Sequence, residues 1–182
     1  GTLIIGIASK DLLANFFGGL MVFMDRPFSV GDWVRSPDKN IEGTVEHIGW
    51  RLTKIRTFSK RPLYVPNSVF LTISIENPSR MSNRQIKQDI GLRYQDARKV
   101  PEIVGEIEQM LIDHPDIDNN QTTFITLHAF SPSSLDCLLY CFTKTTAWVP
   151  FMKIQQEIFV KITEIVHKHG GDIAFPTTTL DL

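Results

Sequence analysis

The first 24 residues, GTLIIGIASKDLLANFFGGLMVFM, constrain this chain more than any other stretch, because they are nearly all apolar and carry charge only at Lys10 and Asp11. As one helix they would reach roughly 36 Å at ~1.5 Å per residue, which matches a bilayer core. Ser9-Lys10-Asp11 lies near the middle, and charges at a bilayer centre cost at least ~2.5 kcal/mol each. A lipid-facing span is therefore disfavoured. Two shorter pieces fit better: an apolar one over 1–8 and an amphipathic one over 12–24, with a break at Lys10-Asp11. The adjacent Gly18 and Gly19 either admit a second backbone at close range or weaken the helix there.

After Asp25-Arg26-Pro27 the period changes from helical to strand-like. Residues 28–35 alternate apolar and polar and stop at Ser36-Pro37-Asp38. IEGTVEHIGW, RLTKIRTF, RPLYVPN and VFLTISIENP follow, separated by Gly, Pro and Asn turns. Five strands in so short a stretch predict a small, strongly bent β-barrel or sandwich. SRMSNRQ, residues 79–85, is a polar boundary. Beyond it, QIKQDIGLRY reads as a strand. Val100, Ile103, Val104, Ile107, Met110 and Leu111 mark a helix with Pro101 in its first turn. TTFITLHAF and SLDCLLYCFTKT read as two strands. Phe151, Ile154, Ile158, Ile162 and Ile165 mark a second helix, stopped by Gly170-Gly171. DIAFP is a last strand. This β-α-β-β-α-β order over 86–175 is the split βαβ, ferredoxin-like arrangement. TTTLDL is β-prone without a partner in the chain, which invites pairing with other copies.

Composition narrows the function classes. In 182 residues the net charge is −1, so there is no basic excess to suggest nucleic acid. The two cysteines, Cys137 and Cys141, form no disulfide framework. Even spacing puts them on one strand face as buried small hydrophobes rather than metal ligands. His167 and His169 suit the C-terminal turn of a helix. No phosphate loop, metal cluster or nucleophile–base set is present, so the chain is expected to be neither an enzyme nor a cofactor or metal binder. Arg51, Lys54, Arg56, Lys60 and Arg61 form a local basic cluster, either an exposed sheet face or an attractor of anions and anionic headgroups. The chain begins with Gly and lacks a basic n-region. It is therefore not expected to start with a signal peptide, and it reads as part of a longer chain.

ANFFGGLMVFMDRPFSVGDWV, then IEGTVEHIGWRLTKIRTFSKRPLYVPNSVF, then IENPSR resemble, in order and spacing, the MscS-like small-conductance mechanosensitive channel family, and most of all its larger bacterial members of the YnaI type. The resemblance extends through IAFPTTTLDL. It implies a pore-lining and a sub-membrane helix over 1–27, an Sm-like β-domain over 28–80, a ferredoxin-like α/β domain over 81–173, and a barrel strand over 174–182 shared between subunits. It implies a homo-heptamer in the bacterial inner membrane, multi-pass, with most of this segment in a hollow cytoplasmic vestibule. Lipids would surround it, ions and small solutes would permeate on hypo-osmotic shock, and nucleic acid would not bind.

By position, the resemblance puts the apolar pore constriction at Leu3 and Ile7, whose i, i+4 spacing gives one helix face. Lys10 and Asp11 would lie at the pore mouth, with Asp11 in the place of the family's kink glycine. Gly6, Asn15, Gly18 and Gly19 would serve helix packing and hinge roles. Gly1 and Ala8 fit the small-residue packing pattern, whereas Thr2 and Ile4 are bulkier than the family's usual choice. The alternatives are a membrane-associated heptameric scaffold that does not conduct and, behind it, an Sm-like RNA-binding ring.

Overall fold

A computed structural model describes residues 2–180, which divide into one compact unit up to Met81 and a second from Ser82.

The first unit opens on helix α1, Thr2–Asp25, which is unbroken. The break expected at Lys10-Asp11 is absent, for local reasons. The Ser9 hydroxyl donates to the Ile5 carbonyl one turn back at 2.7 Å, so it is satisfied inside the helix. Lys10, Leu12, Leu13 and Ala14 are strong helix formers. Lys10 and Asp11 point outward and exposed, leaving the backbone ladder intact. The helix stops at Arg26 instead. Pro27 disfavours helical geometry in the residue before it, and Arg26 takes a left-handed φ of 48° while its N–H still reaches the Val22 carbonyl at 3.0 Å.

Four antiparallel strands follow as a meander: β1 Trp33–Ser36, β2 Ile41–Ile48, β3 Leu52–Arg56 and β4 Pro62–Pro66, in that spatial order. β2 carries a bulge between Val45 and His47. Gly43 lies so near β3 that an added Cβ would come within 2.8 Å of the Arg56 carbonyl carbon and the Ile55 side chain. The core is Val22, Phe28, Val34, Ile41, Val45, Ile55 and Val65.

Two expected strand assignments fail here. Residues 28–32 are not sheet: Phe28 is a buried anchor meeting Phe70 edge-on, and Gly31 turns the chain at φ 97°. Residues 69–78 are not a fifth strand. Asn67–Leu71 forms a 3-10 turn, and only Glu76 bridges back, to Arg35. Val69, Phe70, Ile73 and Ile75 still pack on the core. Their alternating hydrophobicity is thus satisfied by irregular chain.

The second unit is a two-layer sandwich. Strands β5 Arg84–Leu92, β6 Phe124–Phe130 and β7 Leu135–Thr143 form an antiparallel sheet ordered β5-β7-β6. Helices α2 Val100–Asp113 and α3 Trp148–Lys168 cover one face. Ile103, Ile107, Leu111, Ile154, Ile158 and Ile162 meet Ile125, Cys137, Leu139 and Cys141 in the core. The expected last strand, DIAFP, shrinks to one bridge between Ile173 and Leu92, with the Ala174 N–H donating to Gly91 at 2.9 Å. That contact still places it beside β5, the edge required by a split βαβ order. Residues 175–180 form no strand; Gly1 and the end of TTTLDL at 181–182 lie outside the described residues.

Candidate functional site

The residues singled out on α1 separate into two groups along the helix. The lower group is a seat. Asn15, Gly18, Gly19 and Val22 recur at i, i+3, i+4 and i+7 and so share one face. Gly18, Gly19 and Val22 are the buried residues of α1. An added Cβ on Gly18 would come 2.5 Å from the Asn67 carbonyl carbon and 2.9 Å from the Ser68 nitrogen. On Gly19 it would come 2.7 Å from the Asn67 side-chain nitrogen and 3.3 Å from the Gly49 carbonyl oxygen. Of the two roles open to this glycine pair, close backbone approach is the one realised. Asn15 completes the seat by accepting the Ser68 N–H at 2.9 Å on its Oδ1.

Beneath the seat is a hub that sequence reasoning missed. Asn67 is fully buried. Its Nδ2 donates to the Gly49 carbonyl at 2.7 Å, its Oδ1 accepts from the Thr53 hydroxyl at 2.7 Å, and its backbone N–H donates to the Arg51 carbonyl at 2.9 Å. One side chain thereby fixes the β2–β3 turn, strand β3 and the surface on which α1 rests. VPNS marked a turn in the sequence; nothing marked its asparagine as buried.

A second unforeseen cluster holds the end of α1. The Asn77 Nδ2 donates to the Pro27 carbonyl at 3.1 Å and to Asp32 Oδ2 at 2.9 Å. Arg80 donates to the Arg26 carbonyl at 3.0 Å and lies 3.5 Å from Asp32. The Asn77 amide, the Ser29 N–H and the Arg80 charge hold the Asp32 carboxyl below its usual range.

The upper group stands clear. Leu3 is 80% exposed and Ile7 68%. On an unbroken helix Leu3, Ile7, Lys10 and Ala14 follow one another along one row. Gly6 has open space around it, with nothing within 4 Å of an added Cβ. α1 is the one helix among the described residues long and apolar enough to cross a membrane. Phe16, Phe17, Leu20, Phe23 and Met24 leave its lower half exposed as well, away from the seat.

Elsewhere the chemistry is structural. Arg56 donates to Glu46 at 2.7 and 3.1 Å and Lys54 lies 3.2 Å from it, which lowers the Glu46 carboxyl to about 2. Part of the basic cluster is thus paired on the sheet face. Burial pushes the Cys137 and Cys141 thiols up to about 11 and about 12. His169 meets Glu106 at 2.6 Å and His167 meets Asp172 at 3.2 Å. Among the described residues no group of His, Cys, Asp or Glu could hold a metal ion.

Two family models match: the mechanosensitive ion channel β-domain over residues 11–80, and the MscS mechanosensitive ion channel C-terminal domain over 86–173. The chain belongs to the MscS-like mechanosensitive channel family. Over 180 residues, 99% of its length, it is 57% identical to the low conductance mechanosensitive channel YnaI of Escherichia coli, and it spans 52% of that relative. The cryo-EM structure of Arabidopsis thaliana MSL1 superposes with a TM-score of 0.89 at 29% identity, covering 97% of this chain and 63% of that one. The closed-state crystal structure of Helicobacter pylori MscS shares the fold, with a TM-score of 0.83 at 23% identity and coverage of 100% and 69%. This chain therefore spans about half the length of its curated E. coli relative. The seat, the hub and the lower half of α1 all fall within the matched β-domain, whereas Leu3, Gly6, Ile7 and Lys10 precede it.

Proposed function

We propose that this chain is the pore-helix and vestibule portion of a tension-gated ion channel of the bacterial inner membrane, which releases ions and small solutes on hypo-osmotic shock. The observation that carries the reading is the two-part character of α1: an exposed apolar upper half, continuous with a lower half seated by Asn15, Gly18 and Gly19 on a β-domain. In a homo-heptamer of a multi-pass parent chain, Leu3 and Ile7 form two stacked apolar rings a helical turn apart. Narrow apolar rings block ions by dewetting. Lys10 and Asp11 lie just below at the watery mouth, where charge need not face lipid. Gly6 leaves room for a neighbouring helix. Residues 28–80 and 81–173 build the cytoplasmic vestibule, and 174–182 pair between subunits.

Membrane tension favours the state of larger in-plane area. Moving the upper halves of the helices apart widens the rings, and the change is a population shift between two packings. Ile7→Ser hydrates the closed ring and is expected to lower the suction at which channels open. The test is pressure-stepped patch recording from cells lacking their own mechanosensitive channels and expressing the parent chain. An unchanged threshold removes Ile7 from the gate. Silence from an intact membrane heptamer leaves the non-conducting scaffold.

A further inference from the structure

Helix α2 ends at a buried histidine whose two ring nitrogens are unequally served. Pro115 keeps His114 out of helical geometry, at φ −73° and ψ 124°, and carries no N–H of its own. The first N–H beyond His114 is therefore that of Asp116, and it donates to His114 Nδ1 at 3.2 Å. A ring nitrogen that accepts a hydrogen bond carries no proton, so the neutral ring holds its proton on Nε2. That Nε2 is buried without a hydrogen-bond partner, and the side chain is 1% exposed. It faces Glu157 Oε1 of α3 at 3.5 Å, beyond the reach of a good hydrogen bond. Lys161 lies 2.7 Å from the same oxygen, and Lys161 first and His114 second hold the Glu157 carboxyl below its usual range.

The loop that starts at His114 anchors the head of the second unit. Ile117 is fully buried and bridges to Thr143 at the end of β7. The Asp116 carbonyl accepts the Lys144 N–H at 2.9 Å, and the Asp118 N–H donates to the Phe142 carbonyl at 2.9 Å. The Asn83 amide donates to Asp118 Oδ2 at 3.0 Å and to the Thr143 carbonyl at 3.1 Å, and Asn83 directly follows Ser82, where this unit begins. Charged groups surround the ring on three sides. Asp113 and Asp116 flank it on its own segment, Asp118 and Lys144 lie where the loop meets β7, and Glu157 and Lys161 face it from α3. From β6 the one titratable group is His128, which Asp89 holds at 2.7 Å on the opposite face of the sheet.

We propose that His114 is a proton-operated release for the 114–118 loop. The free lone pair of the ring is on Nδ1, so a proton taken from water must bind there. Donor then meets donor, and the Asp116 N–H is expelled. A charged ring is costly to keep sealed from water without a counter-ion. Glu157 is the carboxylate that faces it, so the imidazolium is drawn toward α3 and the loop is let go. The closed loop binds one proton fewer than the open one, so opening increases as pH falls. Histidine ordinarily changes charge between about pH 5 and 8, which makes mild acid the trigger. Opening loosens the hold of Asp118 on Asn83, while Ile103, Ile107, Ile158 and Ile162 keep α2 and α3 packed. The assignment is independent of the channel reading above.

The test is amide hydrogen exchange of the full parent chain in detergent, read by mass spectrometry and corrected for the intrinsic pH dependence of exchange. Between about pH 7.5 and about pH 5.5, the wild-type peptide covering 114–120 is expected to open about tenfold more often, with the α2 and α3 peptides unchanged. His114→Asn supplies an Oδ1 that accepts the Asp116 N–H in an Asx-turn and takes no proton, so its loop is expected to exchange alike at both pH values. Glu157→Gln removes the counter-charge and is expected to move the opening to lower pH. A wild-type loop with the same corrected exchange at both pH values overturns the proposal, and so does a His114→Asn loop that opens in acid as the wild type does. If His114→Asn does not fold, the wild-type profile and its shift in Glu157→Gln carry the test, and an unshifted profile overturns the proposal.

Discussion

Gly18→Ala tests the seat of α1 directly. In an isolated helix this change is favourable by about 1 kcal/mol, because glycine is the poorer helix former. Here the new Cβ would fall 2.5 Å from the Asn67 carbonyl carbon and 2.9 Å from the Ser68 nitrogen. Both are backbone atoms of a turn pinned by the three bonds of the Asn67 hub, so the turn has little freedom to yield. The helix must lift instead. Lifting breaks the Asn15–Ser68 hydrogen bond, which contributes about 1 kcal/mol net and costs more if the N–H stays buried. It also uncovers part of Val22, whose full burial contributes about 1.5–3 kcal/mol. Set against the propensity gain, the net loss is about 2 kcal/mol, or roughly 4–8 °C in melting temperature for a chain of this size. Gly105→Ala, on the exposed side of α2, is the matched control, since nothing lies within 4 Å of its added Cβ and only the propensity gain applies. The assay is thermal melting of the two variants in the same detergent, followed by near-ultraviolet dichroism. If Gly18→Ala melts at or above Gly105→Ala, the close approach is not a constraint and the seat is misread.

Asn67→Ala removes a fully buried side chain that bonds both Gly49 and Thr53, and orphans both partners. A loss of about 2–4 kcal/mol is expected from equilibrium unfolding in denaturant, with Asn67→Asp failing to rescue because it cannot donate to the Gly49 carbonyl. Glu46 gives a pH prediction. Its carboxyl falls from an ordinary 4.5 to about 2 in the folded chain, first through Arg56 and then Lys54. A depressed carboxylate stabilises the fold above its unfolded pKa, and that contribution disappears as pH falls through the folded one. The stability difference between wild type and Glu46→Gln should hold above about pH 4.5 and close as pH approaches about 2. A difference that persists to the acid end would show that it comes from packing rather than charge.

Much of this fold is legible in the residues. The apolar stripes of α2 and α3 name their own core faces, and Cys137 and Cys141 fall on the buried side of β7 as even spacing requires. The errors share a cause. Ser9-Lys10-Asp11 suggests a break because charge is costly in lipid, but that cost acts on side chains. The backbone of α1 responds to helix propensity, which is high there, and Ser9 satisfies itself on Ile5. Val69 to Ile75 alternate like a strand, yet alternation records burial rather than hydrogen bonding, and irregular chain supplies the burial. Gly18-Gly19 left two physical readings open, and choosing between them needs the position of Asn67, 48 residues further on. The role of Asn67 itself has no local signal, because a buried polar hub depends on partners brought together by the sheet.

The cluster of Asp32, Asn77 and Arg80 has a consequence for force. It ties the carbonyls of Arg26 and Pro27, where α1 ends, to the residues that leave the β-domain. A load arriving along the helix can therefore pass to residues 77–80 through the side chains of Asn77 and Arg80, which Asp32 braces, without travelling across the four-stranded sheet. The β-domain is thereby clamped at its entrance and exit, whereas among the described residues no other element packs against the upper half of α1, so within this unit the freedom to bend resides there.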